Sequence, residues 1–444
     1  MFKTLKNAWA IPELRKKMIF TALILLIFCV GGKIPVPFID VDAMQDYFNG
    51  VLSNTIFGLY NAMSGSSFSQ ATVFALGIQP YINSSIIIQL LCIAIPALER
   101  LSKEGGEEGK KKIERITRYT TIGLGLLMGW AYYMMISSSN YDVVTDGNFL
   151  KAVVIIMTFA AGSTVVMWLG EQITEHGIGN GISMILFVGI ISRIPASVYD
   201  LIRLFFNTDI VPTWWIGVIE VVLSAILIVL IVFVNDAERR IPVQYAKRVV
   251  GRKVYGGQST NLPIKVAMTG VMPIIFASSI ASVPETICRF GGWTKGWWYK
   301  NVFATSSWTY AVCYFLLIFF FSWFYAAIQY DPVEMANNMK KNGGFIPGFR
   351  PGKPTSDFIK KVISKIVVFG AVYLGIVALV PIVAGNLING YVDSLFVNTH
   401  PIYSAVHSMA IGGTSVIIVV SVALETVKTL EAQMLMRHYK GFLD

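Results

Sequence analysis

Residue types that perform chemistry are few in this 444-residue sequence, and they lie apart from one another. The motifs Gly-Ile-Ser at Ser183 and Gly-Thr-Ser at Ser415 each offer a serine nucleophile, but neither is accompanied by a plausible base. The four histidines form no ligand pair, and the four cysteines lie in apolar runs without a CxxC spacing. We therefore expect no metal site, no cofactor and no enzymatic activity.

The composition indicates a membrane protein, because 55% of the residues are apolar and only 14% are charged. A soluble domain carries roughly 25% charged residues, and a membrane-spanning helix needs about 20 apolar residues. The sequence therefore predicts an all-α polytopic membrane protein with ten transmembrane helices. The predicted spans are 18–34, 72–95, 119–136, 152–170, 182–194, 214–234, 266–288, 307–328, 366–385 and 404–424.

The distribution of positive charge predicts the orientation of these spans. With the N-terminus in the cytoplasm, 29 of the 36 Lys and Arg residues fall in cytoplasmic segments. Cytoplasmic loops of membrane proteins attract Lys and Arg in this way. Omitting the fifth span would place two loops, each with seven basic residues, on the outer side of the membrane. We therefore expect ten spans with both termini in the cytoplasm.

The second and seventh spans are unusually polar for helices in lipid. Span 72–95 contains Pro80, and span 266–288 contains Pro273 and Pro284 together with several hydroxyl residues. Such residues either let helices pack closely or mark a site at the interface of inverted repeats. Because the two spans hold matching positions, the sequence favours two inverted five-helix halves, 1–194 and 195–424, around a central pore. A cytosolic tail, 425–444, follows.

The segment 50–70 lies between the first two spans but is too rich in Gly, Ser and Asn for a helix exposed to lipid. Two interpretations stay open. It is either an ordinary extracellular loop or a short re-entrant helix, which is permitted where protein shields its backbone.

Two long basic segments, 235–265 and 329–365, face the cytoplasm in this topology. The first alternates Val and Tyr and predicts a short hairpin ending in Gly256-Gly257. The second contains an exposed Pro-Gly turn. Their basic residues either only orient the spans or dock an anionic partner such as ribosomal RNA or an acidic protein surface. The residues expected to dock partners are Arg239, Arg240, Lys247, Arg248, Arg252, Lys253 and Arg350.

Several motifs resemble those of the bacterial SecY family, the channel subunit of the protein-conducting translocon. They run in the family order along nearly the whole chain. The motifs are FALGIQPYINSSIIIQLL (74–91), GIGNGIS (177–183), RRIPVQYAKR (239–248), QSTNLPIKV (258–266), GVMPIIFASSI (270–280), GGFIPGFRPGKPT (343–355) and GGTSVIIVV (412–420).

This resemblance implies a clamshell of two halves that opens sideways to lipid between spans two/three and seven/eight. Its implied sites form three groups. The pore ring comprises Ile82, Ile86, Ile182, Leu186, Ile275 and Ile418. The plug comprises Ile56, Phe57, Leu59, Tyr60 and Met63. The lateral gate includes Asn83, Gln89, Ser278 and Ser279.

The resemblance also implies partners and a location. We expect SecE-like and SecG-like small membrane subunits, the SecA motor ATPase, the ribosome, signal peptides, nascent secretory chains and the lipid bilayer. Arg350 matches the family's arginine for engaging SecA or the ribosome. The location is the bacterial plasma membrane.

Some residues depart from the family pattern. Phe38 replaces a glycine expected after IPVP, and the stretch FCVGG at Cys29 replaces an expected arginine. A secondary transporter of a small solute is the alternative function, since inverted repeats suit that class equally well. A transporter usually places an ionisable residue at mid-span. The deep parts of spans two and seven offer only amides and hydroxyls, and Glu285 lies near the outer end.

Overall fold

The structure is a computed structural model of the chain, and it is predominantly helical. The residues that it describes are 2–52, 56–103, 105–137, 139, 141–144, 148–196, 198–199, 202, 214–245, 248–250, 253–255, 259–268, 270–290, 296, 302, 307–395 and 413–440.

Each predicted span overlaps a helix. The helices are α1 (Phe2–Ala10), α2 (Pro12–Gly31), α3 (Val41–Tyr47), α4 (Ile56–Met63), α5 (Gln79–Ala94), α6 (Pro96–Lys103), α7 (Gly106–Ser137), α8 (Phe149–His176), α9 (Gly181–Ile191), α10 (Trp214–Asp236), α11 (Met272–Phe290), α12 (Trp308–Gln329), α13 (Pro332–Lys341), α14 (Lys353–Leu395) and α15 (Gly413–Lys440). The strands are β1 (Glu238–Tyr245), β2 (Arg248–Val250), β3 (Lys253–Tyr255), β4 (Ser259–Lys265) and β5 (Gly344–Phe345).

Not every one of these helices is long and apolar enough to cross a membrane alone. Within the described residues, Phe149–His176, Trp308–Lys341 and Lys353–Ala384 meet that requirement. Helices α5 and α6 qualify only as a pair, and the chain bends by 106° between them. The predicted start of the second span was wrong, because residues 72–78 form turns and the helix begins at Gln79.

The GIGNGIS motif is the connection between α8 and α9, and its residue types follow from local geometry. Gly179 has a φ of +75°, a conformation that favours glycine. The Asn180 side chain then caps α9 by accepting hydrogen bonds from the backbone N–H groups of Ile182 and Ser183, at 3.0 and 3.3 Å. At Gly181 an added Cβ would overlap the carbonyl oxygen of Gly170. The motif therefore makes a tight return between two packed helices.

The expectation of a purely helical fold was incomplete, because the two basic segments build small sheets. Strand β1 pairs antiparallel with β4 and with β5, in the order β4-β1-β5. Strands β2 and β3 pair with each other within the predicted hairpin region. The buried face of β1 presents Ile241 and Val243 to Ile359 and Ile363 of α14 in one apolar cluster. This cluster fixes the sheet to the helical body.

Residues 64–78 connect α4 to α5 without regular structure, yet the segment is mostly buried. The loop after α2 pairs with this segment. Val36 N–H donates to the Ala71 carbonyl at 3.1 Å, and Val73 N–H donates to the Ile34 carbonyl at 2.9 Å. These bonds satisfy backbone groups that would be costly to bury unpaired.

Side chains complete the bonding of the same segment. Asn61 Oδ1 accepts from Ser69 N–H at 2.9 Å, and the Tyr132 hydroxyl of α7 donates to the Phe68 carbonyl at 2.7 Å. The segment is thereby held from α4 on one side and from α7 on the other.

Helix α1 packs against α15, so the two ends of the chain meet. The Thr4 hydroxyl donates to Glu431 Oε1 at 3.0 Å. Ala8 is fully buried in a cluster with Leu14, Ile178 and Leu430. Lys428 of α15 also forms an ion pair of 2.7 Å with Asp236 at the end of α10. Helix α15 therefore joins elements from both parts of the chain.

A glycine substitution tests this packing. At Gly162 in α8 an added Cβ would overlap the Val73 carbonyl oxygen, whereas at Gly123 in α7 nothing lies within 4 Å of it. We expect Gly162→Ala to lower the free energy of unfolding by about 1–3 kcal/mol through overpacking. We expect Gly123→Ala to raise it by about 0.5–1 kcal/mol, since alanine is the better helix former. Thermal unfolding in detergent measures both, and equal transitions would contradict the packing.

Candidate functional site

A single buried apolar cluster contains the side chains assigned to the pore ring. Ile82 and Ile86 come from α5, Leu186 from α9, Ile275 from α11 and Ile418 from α15. Each of these five is at most 6% exposed, and Ile182 of α9 packs against them partly buried. Because 82/86 and 182/186 are separated by four residues, each pair lies on one helical face. Four helices from the two parts of the chain therefore contribute branched aliphatic side chains to one region.

The segment 50–70 contains a short helix, α4, that is packed inside the protein. Phe57 and Tyr60 are buried in an aromatic cluster in which the ring of Phe57 stacks on Phe68 with centroids 5.5 Å apart. Met63 lies in the same apolar cluster as the predicted pore ring. At Gly189 of α9 an added Cβ would overlap the Met63 carbonyl oxygen. Helix α4 is thus held against α9 at one end and by aromatic side chains along its length.

The side chains of Ile56 and Leu59, also assigned to the plug, lie outside the described part of the structure.

A hydrogen bond joins α4 to α11. The Tyr60 hydroxyl donates to Ser282 Oγ at 2.5 Å, and Ser282 Oγ donates to the Ser279 carbonyl at 2.6 Å. Burial raises the pKa of Tyr60 to about 12; the hydrogen bond to Ser282 lowers this pKa, and the charge of Glu285 raises it. The phenol therefore stays protonated at neutral pH and remains a hydrogen-bond donor. The sequence gives no local signal for this contact, because its partners are 222 residues apart.

A cavity of about 510 Å³ lies between α4, α5, α7 and α11. Its wall includes Phe57 and Tyr60 of α4, Asn83 of α5, Met128 of α7 and Ser279 of α11. Most of the wall is apolar. Its size lies within the usual range for ligand sites, about 300–1,000 Å³.

The cavity reaches the molecular surface. Of its wall residues, Leu127 and Trp130 of α7 are 58% and 55% exposed, and Ile287 of α11 is 54% exposed. All three are apolar, and such side chains suit contact with lipid rather than water. The opening lies between α5 and α7 on one side and α11 on the other. These helices correspond to the second, third and seventh predicted spans.

Several polar atoms at this cavity have no hydrogen-bond partner. Gln79 Oε1, Asn83 Oδ1 and Ser279 Oγ are buried and unpaired among the described residues. Buried unpaired polar atoms are costly and need an explanation. The amide nitrogens of Gln79 and Asn83 contact sulfur atoms, Met63 Sδ at 3.7 Å and Met128 Sδ at 3.8 Å, so each oxygen would gain its partner only if water or a polar chain entered.

The other predicted gate residues are paired. Gln89 Nε2 donates to Ser85 Oγ at 3.1 Å, and Ser278 Oγ donates to the Ile275 carbonyl at 2.9 Å.

Some of the predicted docking residues are exposed in the described part of the structure. Arg239 and Arg240 are exposed on β1, and Arg240 Nε donates to Glu238 Oε1 at 2.7 Å. Arg248 and Lys253 belong to the paired strands β2 and β3. Lys247 and Arg252 lie outside the described residues.

Arg350 is exposed in a turn between Gly348 and Gly352, whose φ angles are +89° and +108°. The Thr355 hydroxyl donates to the Arg350 carbonyl at 2.8 Å and fixes the backbone of the turn.

Phe38 departs from the family pattern at a position where the backbone requires glycine. Its φ is +69°, which is an outlier for a bulky residue. The Lys151 ammonium lies 5.5 Å from the centre of the Phe38 ring. A cation–π contact of this kind offsets part of the strain. The expected glycine is thus explained by the backbone, and the phenylalanine is held there by a contact across to α8.

The described residues contain no group of three His, Cys, Asp or Glu side chains able to hold a metal ion. Ser183 and Ser415, the two candidate nucleophiles, are buried near the first turns of α9 and α15.

Solved structures share this fold. One described as "The structure of a protein conducting channel" superimposes with a TM-score of 0.67 at 17% identity, covering 97% of both chains. Sec61 in the canine ribosome-channel complex superimposes with a TM-score of 0.63 at 16% identity, again over 97% of both chains.

Sequence comparisons identify the family. Protein translocase subunit SecY of Streptomyces scabiei is 41% identical over the whole of both chains. The subunit of the same name from Thermotoga maritima is 41% identical over 100% of this chain and 98% of its own length. The family model SecY matches residues 72–427. The chain therefore belongs to the SecY family of protein translocase subunits.

Proposed function

We propose that this chain forms a channel through which unfolded polypeptides cross the membrane and from which apolar segments enter lipid. The observation that carries the proposal is the convergence of the six pore-ring side chains in one apolar cluster beside the buried helix α4. Membership of the SecY family supports the same function. No comparison supports the alternative of a small-solute transporter.

The proposed channel has ten membrane-spanning helices in two inverted halves, 1–194 and 195–424, with both termini in the cytoplasm of a bacterial cell. The excess of Lys and Arg in alternate loops supports this topology. The short helices α9 and α11 support it too, because segments at the interface of inverted repeats are often interrupted. The location is the plasma membrane.

The pore ring blocks water and ions in the resting channel but opens for a polypeptide in transit. Branched aliphatic side chains at a constriction repel a continuous column of water, and ions cannot cross a dewetted gap. The ring contains no polar atom in its side chains, so a threaded polypeptide meets no fixed binding group. Side-chain rotation in the cluster then admits chains of different sequence.

Helix α4 acts as the plug on the side of the ring remote from the basic segments. Its contacts with α9 and α11 support this role, since they fix α4 directly beside the pore-ring cluster. The unpaired oxygens of Gln79, Asn83 and Ser279 support a lateral gate between α5 and α11, because they line the cavity there and each would gain a partner if a polar chain entered.

The partners of the channel are SecE-like and SecG-like subunits, the SecA motor and the ribosome, together with signal peptides and nascent chains. The surface position of Arg239, Arg240 and Arg350 supports docking of acidic or nucleic-acid surfaces. One related structure is of Sec61 in a ribosome-channel complex. A channel of this design needs no cofactor of its own, because its partners supply the energy.

Crosslinking of a stalled secretory chain tests the function. We expect photo-reactive residues at Ile82 and Ile275 to crosslink the chain in transit, since both face the proposed path. Probes at Phe233 and Leu316, which are 76% and 60% exposed, serve as lipid-facing controls. Crosslinks that form only at the controls would exclude a central path.

The substitution Tyr60→Phe tests the plug. Removing the hydroxyl breaks the bond to Ser282 and leaves the ring in place, so α4 loses about 1–2 kcal/mol of attachment. We expect a five- to thirtyfold rise in ion conductance of the resting channel in planar bilayers. The control is Tyr119→Phe, whose side chain is 69% exposed. Equal conductance in both variants would remove the hydrogen bond from the sealing mechanism.

The substitution Arg350→Glu tests partner docking. Because the side chain is exposed and its turn is fixed by backbone contacts, we expect the variant to fold and insert normally. We expect secretion to be lost, since an acidic group would repel an anionic partner surface. Lys353→Glu in the same turn region is the matched control. Normal export by the Arg350 variant would contradict the proposed role.

A further inference from the structure

A second cavity, of about 260 Å³, lies at the end of α2 remote from α1. Three segments enclose it: the end of α2 with the residues that follow, the turn 64–67 after α4, and the end of α9. It is smaller than the usual range for drug-sized ligands, about 300–1,000 Å³. It therefore suits a compact polar group.

The cavity wall carries two positive charges. Lys33 follows α2 and Arg193 follows α9, and both lie in the wall together with Gln70, Ser66 and Ser192. Among the described residues that line the cavity there is no Asp or Glu. These two cations are separated by 160 positions in the sequence, and the fold brings both into the wall of one cavity.

Both cations follow the C-terminal end of a helix. Lys and Arg are favoured near helix C-termini, where carbonyl groups lack partners. Here several of the carbonyls at both helix ends already accept hydrogen bonds. The backbone N–H groups of Gly32 and Lys33 donate hydrogen bonds to carbonyls at the end of α2. Ser192 donates to carbonyls at the end of α9 through its N–H and its hydroxyl. The Ser67 hydroxyl also donates to the Gly32 carbonyl at 3.2 Å.

The turn in the cavity wall has an unusual backbone. Gly65 and Ser66 both have a φ of +68°, and for serine this conformation is uncommon. Strained backbone persists where surrounding contacts hold it, and it is concentrated at binding sites. The bond from Ser66 N–H to the Asn61 carbonyl, 2.9 Å long, holds it here.

We propose that this cavity binds a phosphate group through Lys33 and Arg193. Phosphate oxygens accept charge-assisted hydrogen bonds from both cations, and the Gln70 amide offers a further donor. The group belongs either to the headgroup of a lipid or to free phosphate. A bound phosphate would join α2, the turn after α4 and α9, and would thereby steady the attachment of α4.

Calorimetric titration of the full-length chain in a neutral detergent, in a phosphate-free buffer, tests the proposal. The probes are inorganic phosphate and short-chain phosphatidylglycerol, with short-chain diacylglycerol as the matched lipid without phosphate. The variants are Lys33→Gln, which removes a cation, and Gln70→Glu, which places a negative charge in the cavity. Lys6→Gln is the control for loss of charge, because Lys6 is exposed and lies in α1, at the other end of α2 from the cavity.

We expect the wild type and Lys6→Gln to bind at least one phosphate-bearing probe equally well. Lys33→Gln and Gln70→Glu should each bind at least about tenfold more weakly, as for loss of a charged hydrogen bond. Binding of phosphatidylglycerol alone would assign the site to a lipid headgroup, and binding of inorganic phosphate alone would assign it to the free ion. Saturable binding of neither probe, or equal binding by all variants, would overturn the proposal.

Discussion

Irregular backbone inside a membrane protein is possible only where the protein itself supplies its hydrogen-bond partners. The segment 64–78 meets this constraint through the loop after α2, the Asn61 side chain and the Tyr132 hydroxyl. The rest of the site depends on it, because this segment sets where α4 ends and where α5 begins. Helix α5 therefore begins only at Gln79, after this segment has packed against α4 and α7.

The same region combines tight and loose packing. Glycines at 162, 181 and 189 bring backbones into contact, and these contacts leave little freedom of movement. The contact between α5 and α11 differs, since it is lined by unpaired amide and hydroxyl oxygens and by a cavity. Buried unpaired hydroxyl groups also occur at Tyr314, Ser322 and Tyr373, so they are not confined to this contact. What distinguishes the contact between α5 and α11 is the cavity, and it is there that we propose lateral opening.

Hydropathy and charge predicted the positions of the helices well, because apolar runs and basic loops are local properties of the chain. Only the family motifs assigned residues to a pore ring, because hydropathy does not distinguish such residues from ordinary lipid contacts, and that assignment stays a prediction. Prediction failed where the structure depends on distant partners. The late start of α5 is set by pairing with residues 34–36, and the Tyr60–Ser282 bond joins segments far apart. The sheet β4-β1-β5 likewise needs β5, which comes from the other basic segment.

The packing of α1 against α15 has a consequence for biosynthesis. The hydrogen bond from Thr4 to Glu431 spans 427 positions, so α1 has its binding surface on a helix that is synthesised much later. Contacts between such distant residues form late, because loop closure has to come first. Helix α1 therefore lacks this partner until α15 has been synthesised. The packing of α15 against α1 and α10 is therefore a late step in the assembly of the helical bundle.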